Sequence, residues 1–215
     1  MFYTIAANIV RFILWVINGR MTILNQEKLP DDNYVLVGPH RTWWDPIFFA
    51  LAGYPKHYMF MAKKELFKNP ILSWIITHAN GFSVDRENPG PSVIKIPVNG
   101  LKKSNLSLIM FPTGSRHSQD MKDGALVIAR LAKKPIVPMV YQGPLKFSEL
   151  FKRHNVTMAY GDPIYPDQFP KKKEEASEMF SEALNDAFDA LDNQIDPTWQ
   201  YVDTHPERTE DYLNK

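Results

Sequence analysis

The sequence predicts an α/β fold: a single domain with a mostly parallel central sheet flanked by helices, plus an N-terminal membrane-associated helix. Three observations carry this. Short apolar, β-rich runs alternate with helical patterns through the middle of the chain, the alternation that parallel strands with crossover helices produce. A length of 215 residues suits one domain with a substantial core. A wide apolar run opens the chain, ahead of the first strand.

That opening run, MFYTIAANIVRFILWVIN over residues 1–18, carries one charge, Arg11. It is slightly short of the ~20 apolar residues a membrane-spanning helix needs, and Asn8 and Arg11 interrupt it. It lacks the leading positive charge and small-residue cleavage site of a secretory signal. Ile5, Ile9, Phe12, Ile13 and Val16 recur at helical spacing with Trp15 beside them. The stripe predicts a helix lying in one face of a bilayer; a helix packed into the domain core is the alternative.

The domain proper is read over residues 19–195. Tyr34–Val37, Tyr58–Met61, Leu106–Phe111, Ile136–Val140 and Val156–Tyr160 read as strands. Helices are predicted near 46–52, 65–78, 92–103 and 121–133. In the last helix Ala176, Met179, Phe180, Ala183, Leu184, Ala187, Phe188 and Leu191 form one apolar stripe, and the acidic opposite side reads as a solvated face. Residues 196–215 form a polar tail punctuated by proline.

Composition excludes several classes. The chain has no cysteine, which rules out disulfides, thiolate metal sites and a cysteine nucleophile, and fits a cytosol-facing protein. The net charge of +1 conceals an asymmetry: residues 1–160 hold 20 Lys and Arg against 10 Asp and Glu, and residues 161–215 hold 5 against 14. The basic part favours anionic partners such as phosphates or acidic lipid headgroups. No nucleic-acid-binding signature accompanies the charge, so nucleic acid is not expected as a partner. The G-x-S-x-G elbow, the P-loop, the dinucleotide fingerprint and the HExxH zinc pattern are all missing from the sequence.

The stretch GPHRTWWDPIF, residues 38–48, holds the candidate chemistry. His40 falls just past the strand that ends at Val37, where ligands collect in α/β sheets. An imidazole there can serve as a general base if a carboxylate orients its other ring nitrogen, and Asp45 is placed to do so. Asp45-Pro46 also has the form of a helix start, with aspartate as cap and proline at the first helical position. A capping Asp45 beside a polar loop histidine is therefore an equal reading of the same residues. Trp43 and Trp44 read as core anchors or as contacts to an apolar chain.

HRTWWD resembles the His-x4-Asp block of the glycerolipid acyltransferase family, enzymes that acylate glycerol phosphates and lysophosphatidate. Residues 61–86, from MAKKELFKNP to FSVDR, are similar to the family's second block and the helix leading to it. FPTGSRHS, residues 111–118, resembles the third block, and KPIVPM, residues 134–139, the fourth. The four stand in order across roughly residues 34–142 and look most like the members that acylate 1-acylglycerol 3-phosphate.

The resemblance implies His40 as base and Asp45 as its orienting carboxylate. It implies Arg86 and Arg116 as ligands of the acceptor phosphate, with backbone N–H groups of Gly114 and Ser115 beside them. It implies an acyl-CoA or acyl carrier protein thioester as co-substrate, lysophosphatidate as acceptor, a phospholipid bilayer as partner, the cytoplasmic face of a membrane as location, and no metal or other cofactor. Lys63 and Lys64 stay outside this core set, as headgroup contacts or solvated residues. The chain departs from the family at Thr113, where glutamate is usual, and at His117, where serine is usual. These departures leave open another acceptor, glycerol 3-phosphate or a different lysophospholipid, and a lipid-binding member with impaired catalysis.

Overall fold

The central strands are apolar because they are covered on both faces. The computed structural model describes residues 2–85, 88–112, 123–154 and 156–202. Its strands are β1 (Met21–Leu24), β2 (Val35–Val37), β3 (His57–Lys63), β4 (Gly81–Val84), β5 (Leu106–Met110), β6 (Ile136–Gln142) and β7 (Val156–Tyr160). They form one sheet in the order β1-β7-β6-β2-β5-β3-β4. The helices are α1 (Phe2–Ile17), α2 (Asp45–Ala52), α3 (Pro70–His78), α4 (Ser92–Lys103), α5 (Gly124–Ala132) and α6 (Lys173–Ile195). Successive strand residues serve opposite cores. Val35, Val37, Ile136 and Val140 pack with α4, α5 and α6, while Leu36, Val137, Met139 and Tyr141 pack with α1 and α2.

Register decides what comes together. Val37 lies opposite both Met110 and Pro138, and Lys63 lies opposite Val84, all in parallel pairs. The chain therefore leaves β2, β5, β3 and β4 at one edge of the sheet, the carboxyl edge where parallel sheets hold ligands.

Three details add to or differ from the sequence reading. β1 and β4 were not foreseen; both are four-residue strands at the ends of the sheet. β7, whose direction the residue pattern left open, runs antiparallel to β6, with Met139 opposite Tyr160, while the other strand pairs among the described residues are parallel, so the sheet is mostly parallel as expected. The helix expected over 65–78 divides into a 3-10 turn, Lys64–Lys68, and α3. Asn69 makes the division: its side-chain oxygen accepts from the backbone N–H groups of Ile71 and Leu72 at 3.0 and 3.1 Å, and Pro70 starts the new helix.

The acidic helix α6 buries the centre of its expected stripe. Ala176, Phe180, Leu184, Phe188 and Leu191 are buried, whereas Met179 is 43% exposed. At the other terminus α1 is apolar on two sides: Ala7, Val10, Leu14 and Ile17 pack on the domain, and a second stripe faces away from it. Its polar residues stand between the two: Thr4 contacts His57 Nε2 at 3.3 Å, exposed Asn8 donates to the Tyr54 hydroxyl at 3.4 Å, and the exposed Arg11 guanidinium sits 4.9 Å over the Tyr54 ring. The stripe Ile5, Ile9, Phe12, Ile13 and Val16 faces outward, each residue about half exposed, and only Leu14 is buried. Among the described residues no helix is long and apolar enough to cross a membrane.

Removing the Phe180 ring leaves a cavity at the centre of the α6 core, so Phe180→Ala is expected to lower the unfolding free energy by about 3–5 kcal/mol. Met179→Ala, one position away on the exposed side, should change it by less than about 1 kcal/mol. Urea unfolding of the two variants checks the assigned face of α6.

Candidate active site

The loop after β2 is built around one carboxylate. It starts where the backbone passes close to its neighbours: a Cβ on Gly38 would lie 2.4 Å from the Phe49 ring and 2.6 Å from the Met139 carbonyl oxygen. Glycine is the residue that fits there. The loop then curls back on Asp45, the first residue of α2, with Pro46 in the opening turn.

Asp45 is only 1% exposed. Its Oδ2 accepts from the Arg41 backbone N–H at 2.6 Å, from the Thr42 backbone N–H at 2.7 Å and from His40 Nδ1 at 3.0 Å. The Thr42 hydroxyl donates to Oδ1. The capping alternative is thereby corrected. The carboxylate turns back into the preceding loop, and no side-chain cap bonds the start of α2. Because the carboxylate accepts, His40 Nδ1 carries the hydrogen, and Nε2 of the neutral ring keeps its lone pair. The imidazole is held on its face as well. Phe111, the first residue after β5, stacks on it with ring centroids 4.4 Å apart and 20° between planes, and Phe49 supports Phe111 edge-on at 5.3 Å.

Arg41 points away from this dyad and ties the loop to the far end of the chain. Its Nη1 donates to the Tyr141 carbonyl at 2.8 Å and to Asp192 Oδ1 at 3.0 Å, and Nη2 pairs with Asp192 Oδ2. Gln142 donates to Asp192 Oδ1 at 3.0 Å and to the Asp192 carbonyl at 2.9 Å. Trp199 lies under the guanidinium at 4.5 Å. The acidic face of α6 is thus not solvated throughout: Asp192 is a structural partner of the motif loop.

Of the residues singled out in the sequence, the fold brings His40 and Asp45 together. Arg86, Gly114, Ser115 and Arg116, with Thr113 and His117, lie outside the described residues; the strands leading into them, β4 and β5, end on the same edge as β2. Lys64 pairs with Asp85 at 2.5 Å. Phe111, Thr42, Arg41 and Asp192 were not foreseen as parts of the site. Phe111 had a signal, as the aromatic residue opening the third block directly after a strand. Among the described residues no group of three or more His, Asp or Glu is arranged to hold a metal ion.

An apolar cleft of about 290 Å³ adjoins the motif loop. Val10, Ile13, Leu14 and Ile17 of α1 form one wall, Trp43, Trp44, Ile47 and Phe48 the second, and Phe147, Leu150 and Phe151 the third. Trp44 is a buried anchor and Trp43 is 56% exposed, so the pair divides between core and surface.

An imidazole oriented by a carboxylate at the carboxyl edge of a parallel sheet, on a loop whose Trp43 and Trp44 line an apolar cleft, has the geometry of a general base in an enzyme with an apolar ligand. The chain belongs to the Acyltransferase family, whose model matches residues 20–142. It is 45% identical to a 1-acyl-sn-glycerol-3-phosphate acyltransferase of Streptococcus pneumoniae, over 94% of this chain and 81% of that one. It is 38% identical to a Bacillus subtilis protein of the same name, over 90% and 98% of the two chains. The fold matches the crystal structure of the 1-acyl-sn-glycerophosphate acyltransferase PlsC from Thermotoga maritima with a TM-score of 0.62 at 21% identity, covering 91% of this chain and 83% of that one.

Asp192→Ala leaves a largely buried guanidinium without its partner, so a loss of about 3 kcal/mol in unfolding free energy is expected. Asp189→Ala, on the exposed side of the same helix, should cost less than about 0.5 kcal/mol. Denaturant unfolding of both variants separates the tethering carboxylate from a solvated one.

Proposed function

We propose that this acyltransferase moves a fatty acyl group from an acyl thioester to the sn-2 hydroxyl of lysophosphatidate, giving phosphatidate, at the surface of a bilayer. The observation that carries the reading is the His40 imidazole held through Nδ1 by buried Asp45 at 3.0 Å, with its second nitrogen left to act as base. The names of the Streptococcus and Bacillus relatives support the acceptor.

In the proposed reaction His40 Nε2 takes the proton of the acceptor hydroxyl as its oxygen attacks the thioester carbonyl carbon. The C–O bond forms, the C–S bond breaks, and the departing thiolate takes the proton back from the imidazolium. Asp45 fixes the tautomer and stabilises the transient imidazolium charge. A thiolate is a good leaving group, so the reading calls for acyl-CoA or acyl carrier protein as donor and for no metal or other cofactor. Arg86 and Arg116, with the backbone N–H groups of Gly114 and Ser115, are assigned to the acceptor phosphate. The cleft walled by α1 and Trp44 is assigned to an acyl chain, since its lining is wholly apolar.

The catalytic unit is taken as residues 19–195, with 1–18 as an interfacial helix and 196–215 as a tail. Membrane association of α1 is supported by its second apolar stripe, Ile5, Ile9, Phe12, Ile13 and Val16, which is turned outward while Ala7, Val10, Leu14 and Ile17 already pack on the domain. The cytoplasmic leaflet is the expected side, because it faces the soluble thioester donors. Thr113, standing where the family has glutamate, favours a second reading in which glycerol 3-phosphate or another lysophospholipid is the acceptor, or in which lipid is bound with little turnover.

Thiol release from acyl-CoA in the presence of lysophosphatidate tests the reading. His40→Ala is expected to lower kcat by ~10²–10⁴, the worth of a positioned base. Equal release by wild type and variant would remove His40 from the chemistry, and no release by either would favour the binding reading. Arg116→Ala should raise the acceptor KM by about tenfold or more with a smaller change for the donor; an unchanged acceptor dependence rejects its phosphate role.

A further inference from the structure

A second helix presents an apolar face that the proposed reaction does not use. α3 turns Ile71, Trp74 and Ile75 outward, at 72, 52 and 44% exposure. Their i, i+3, i+4 spacing makes one stripe, and Leu72 and Leu66 extend it. Ile76 alone is buried in this helix, and polar Ser73 is less exposed than its apolar neighbours. Scattered exposed apolar side chains are ordinary, but a continuous stripe on a nine-residue helix marks a contact surface.

What covers it follows from charge and position. Neither α1 nor α3 contains an acidic residue. Lys63 is exposed at the end of β3 and Lys68 on the turn that leads into α3, a turn that also carries the exposed carboxylate of Glu65. The acidic helix α6 packs with the other core, on the opposite side of the sheet from α1. α3 joins α1 directly: the Phe2 ring meets Trp74 edge-on at 4.9 Å and His78 at 5.6 Å. The turn before α3 follows Lys63, which ends β3 on the same sheet edge as the dyad loop. Apolar side chains rimmed by Lys63 and Lys68 against the one carboxylate of Glu65, with none on the two helices themselves, complement an anionic lipid surface.

We propose that α3 is a second bilayer-docking element: its Ile71, Trp74 and Ile75 stripe enters the interfacial layer of an anionic membrane while Lys63 and Lys68 meet lipid phosphates. Two separate contacts, α1 and α3, prevent the domain from rolling about a single helix and hold the site edge towards the lipid. The inference rests on the bilayer reading above, but its test reads docking without turnover, so failed catalysis and failed docking report separately.

The chain has no cysteine, so Ile71→Cys and Glu178→Cys each create a single labelling site, the latter on the exposed acidic side of α6. With an environment-sensitive fluorophore on each, phosphatidylcholine vesicles containing about one third phosphatidylglycerol should shift the residue-71 emission to the blue and brighten it, leaving residue 178 unchanged. In the unlabelled full chain, the double variant Ile71→Asp, Ile75→Asp should weaken vesicle partitioning about tenfold. Two results overturn the proposal at once: a chain that sediments with vesicles while residue 71 stays unshifted, or a chain that does not sediment with them at all. A blue shift that appears without vesicles and grows with protein concentration assigns the face to a second copy of the chain, and also overturns it.

Discussion

The carboxylate of Asp45 is almost wholly out of water, and an ion so placed is costly unless every lone pair is met. Here the donors come from the three residues His40, Arg41 and Thr42, all within five positions upstream. To bring two backbone N–H groups and an imidazole N–H to one oxygen, the loop must wrap around its own aspartate. The His-x4-Asp spacing therefore has a conformational meaning that precedes any chemistry: it is the length of chain that closes on its own carboxylate. Once closed, the loop has one arrangement, and the imidazole inherits its tautomer and orientation. Phe111 against the ring face removes the remaining freedom.

That closed loop is anchored to the rest of the molecule by Arg41. Asp192 stands in the last turn of α6, a turn with no basic residue, where the helix dipole disfavours a negative charge. The Arg41 guanidinium offsets both, meeting the carboxylate with two nitrogens and reaching the Tyr141 carbonyl as well. The arrangement links three elements far apart in the chain: the loop after β2, the end of β6 and the end of α6. Trp199, past the end of α6, closes the guanidinium from another side. Helix α6 therefore supports the loop that carries the dyad as well as covering the sheet.

The legibility of these features in the sequence follows from the range of the forces involved. β2, β5, β6 and β7 could be read because burial on both faces demands near-continuous apolar, β-branched runs. β1 and β4 flank the sheet; MTIL carries an exposed threonine and no fully buried residue, and GFSV mixes glycine and serine into the run, so neither stands out as the buried β2 does. The antiparallel turn of β7 depends on how the chain returns, which residue pattern does not encode. The break before α3 did have a local signal in Asn69-Pro70, and the helical periodicity on either side hid it. His40 and Asp45 were visible as a pair, but Asp-Pro is also a sound helix start, and only the direction of the carboxylate separates the two meanings. Arg41 and Asp192 are 151 positions apart, and each alone resembles an ordinary charged surface residue.

The N-terminal helix shows a similar limit. Periodicity located its apolar stripe correctly, but an interfacial helix and a core helix share that periodicity. What distinguishes them is where the polar residues find partners. Asn8 and Arg11 meet Tyr54 at the exposed border of the helix, between the outward stripe and the flank that packs on the domain. The opposite flank of the same helix, Val10, Leu14 and Ile17, walls the apolar cleft beside Trp43 and Trp44. Ile13 belongs to both surfaces, about half exposed and lining the cleft. On the reading proposed above, an apolar chain passing from the outer stripe into the cleft moves along one helix from apolar contact to apolar contact, without crossing a polar barrier on that wall. The polar end of such a molecule would remain near the loop that carries Trp43, the loop on which His40 and Asp45 are held.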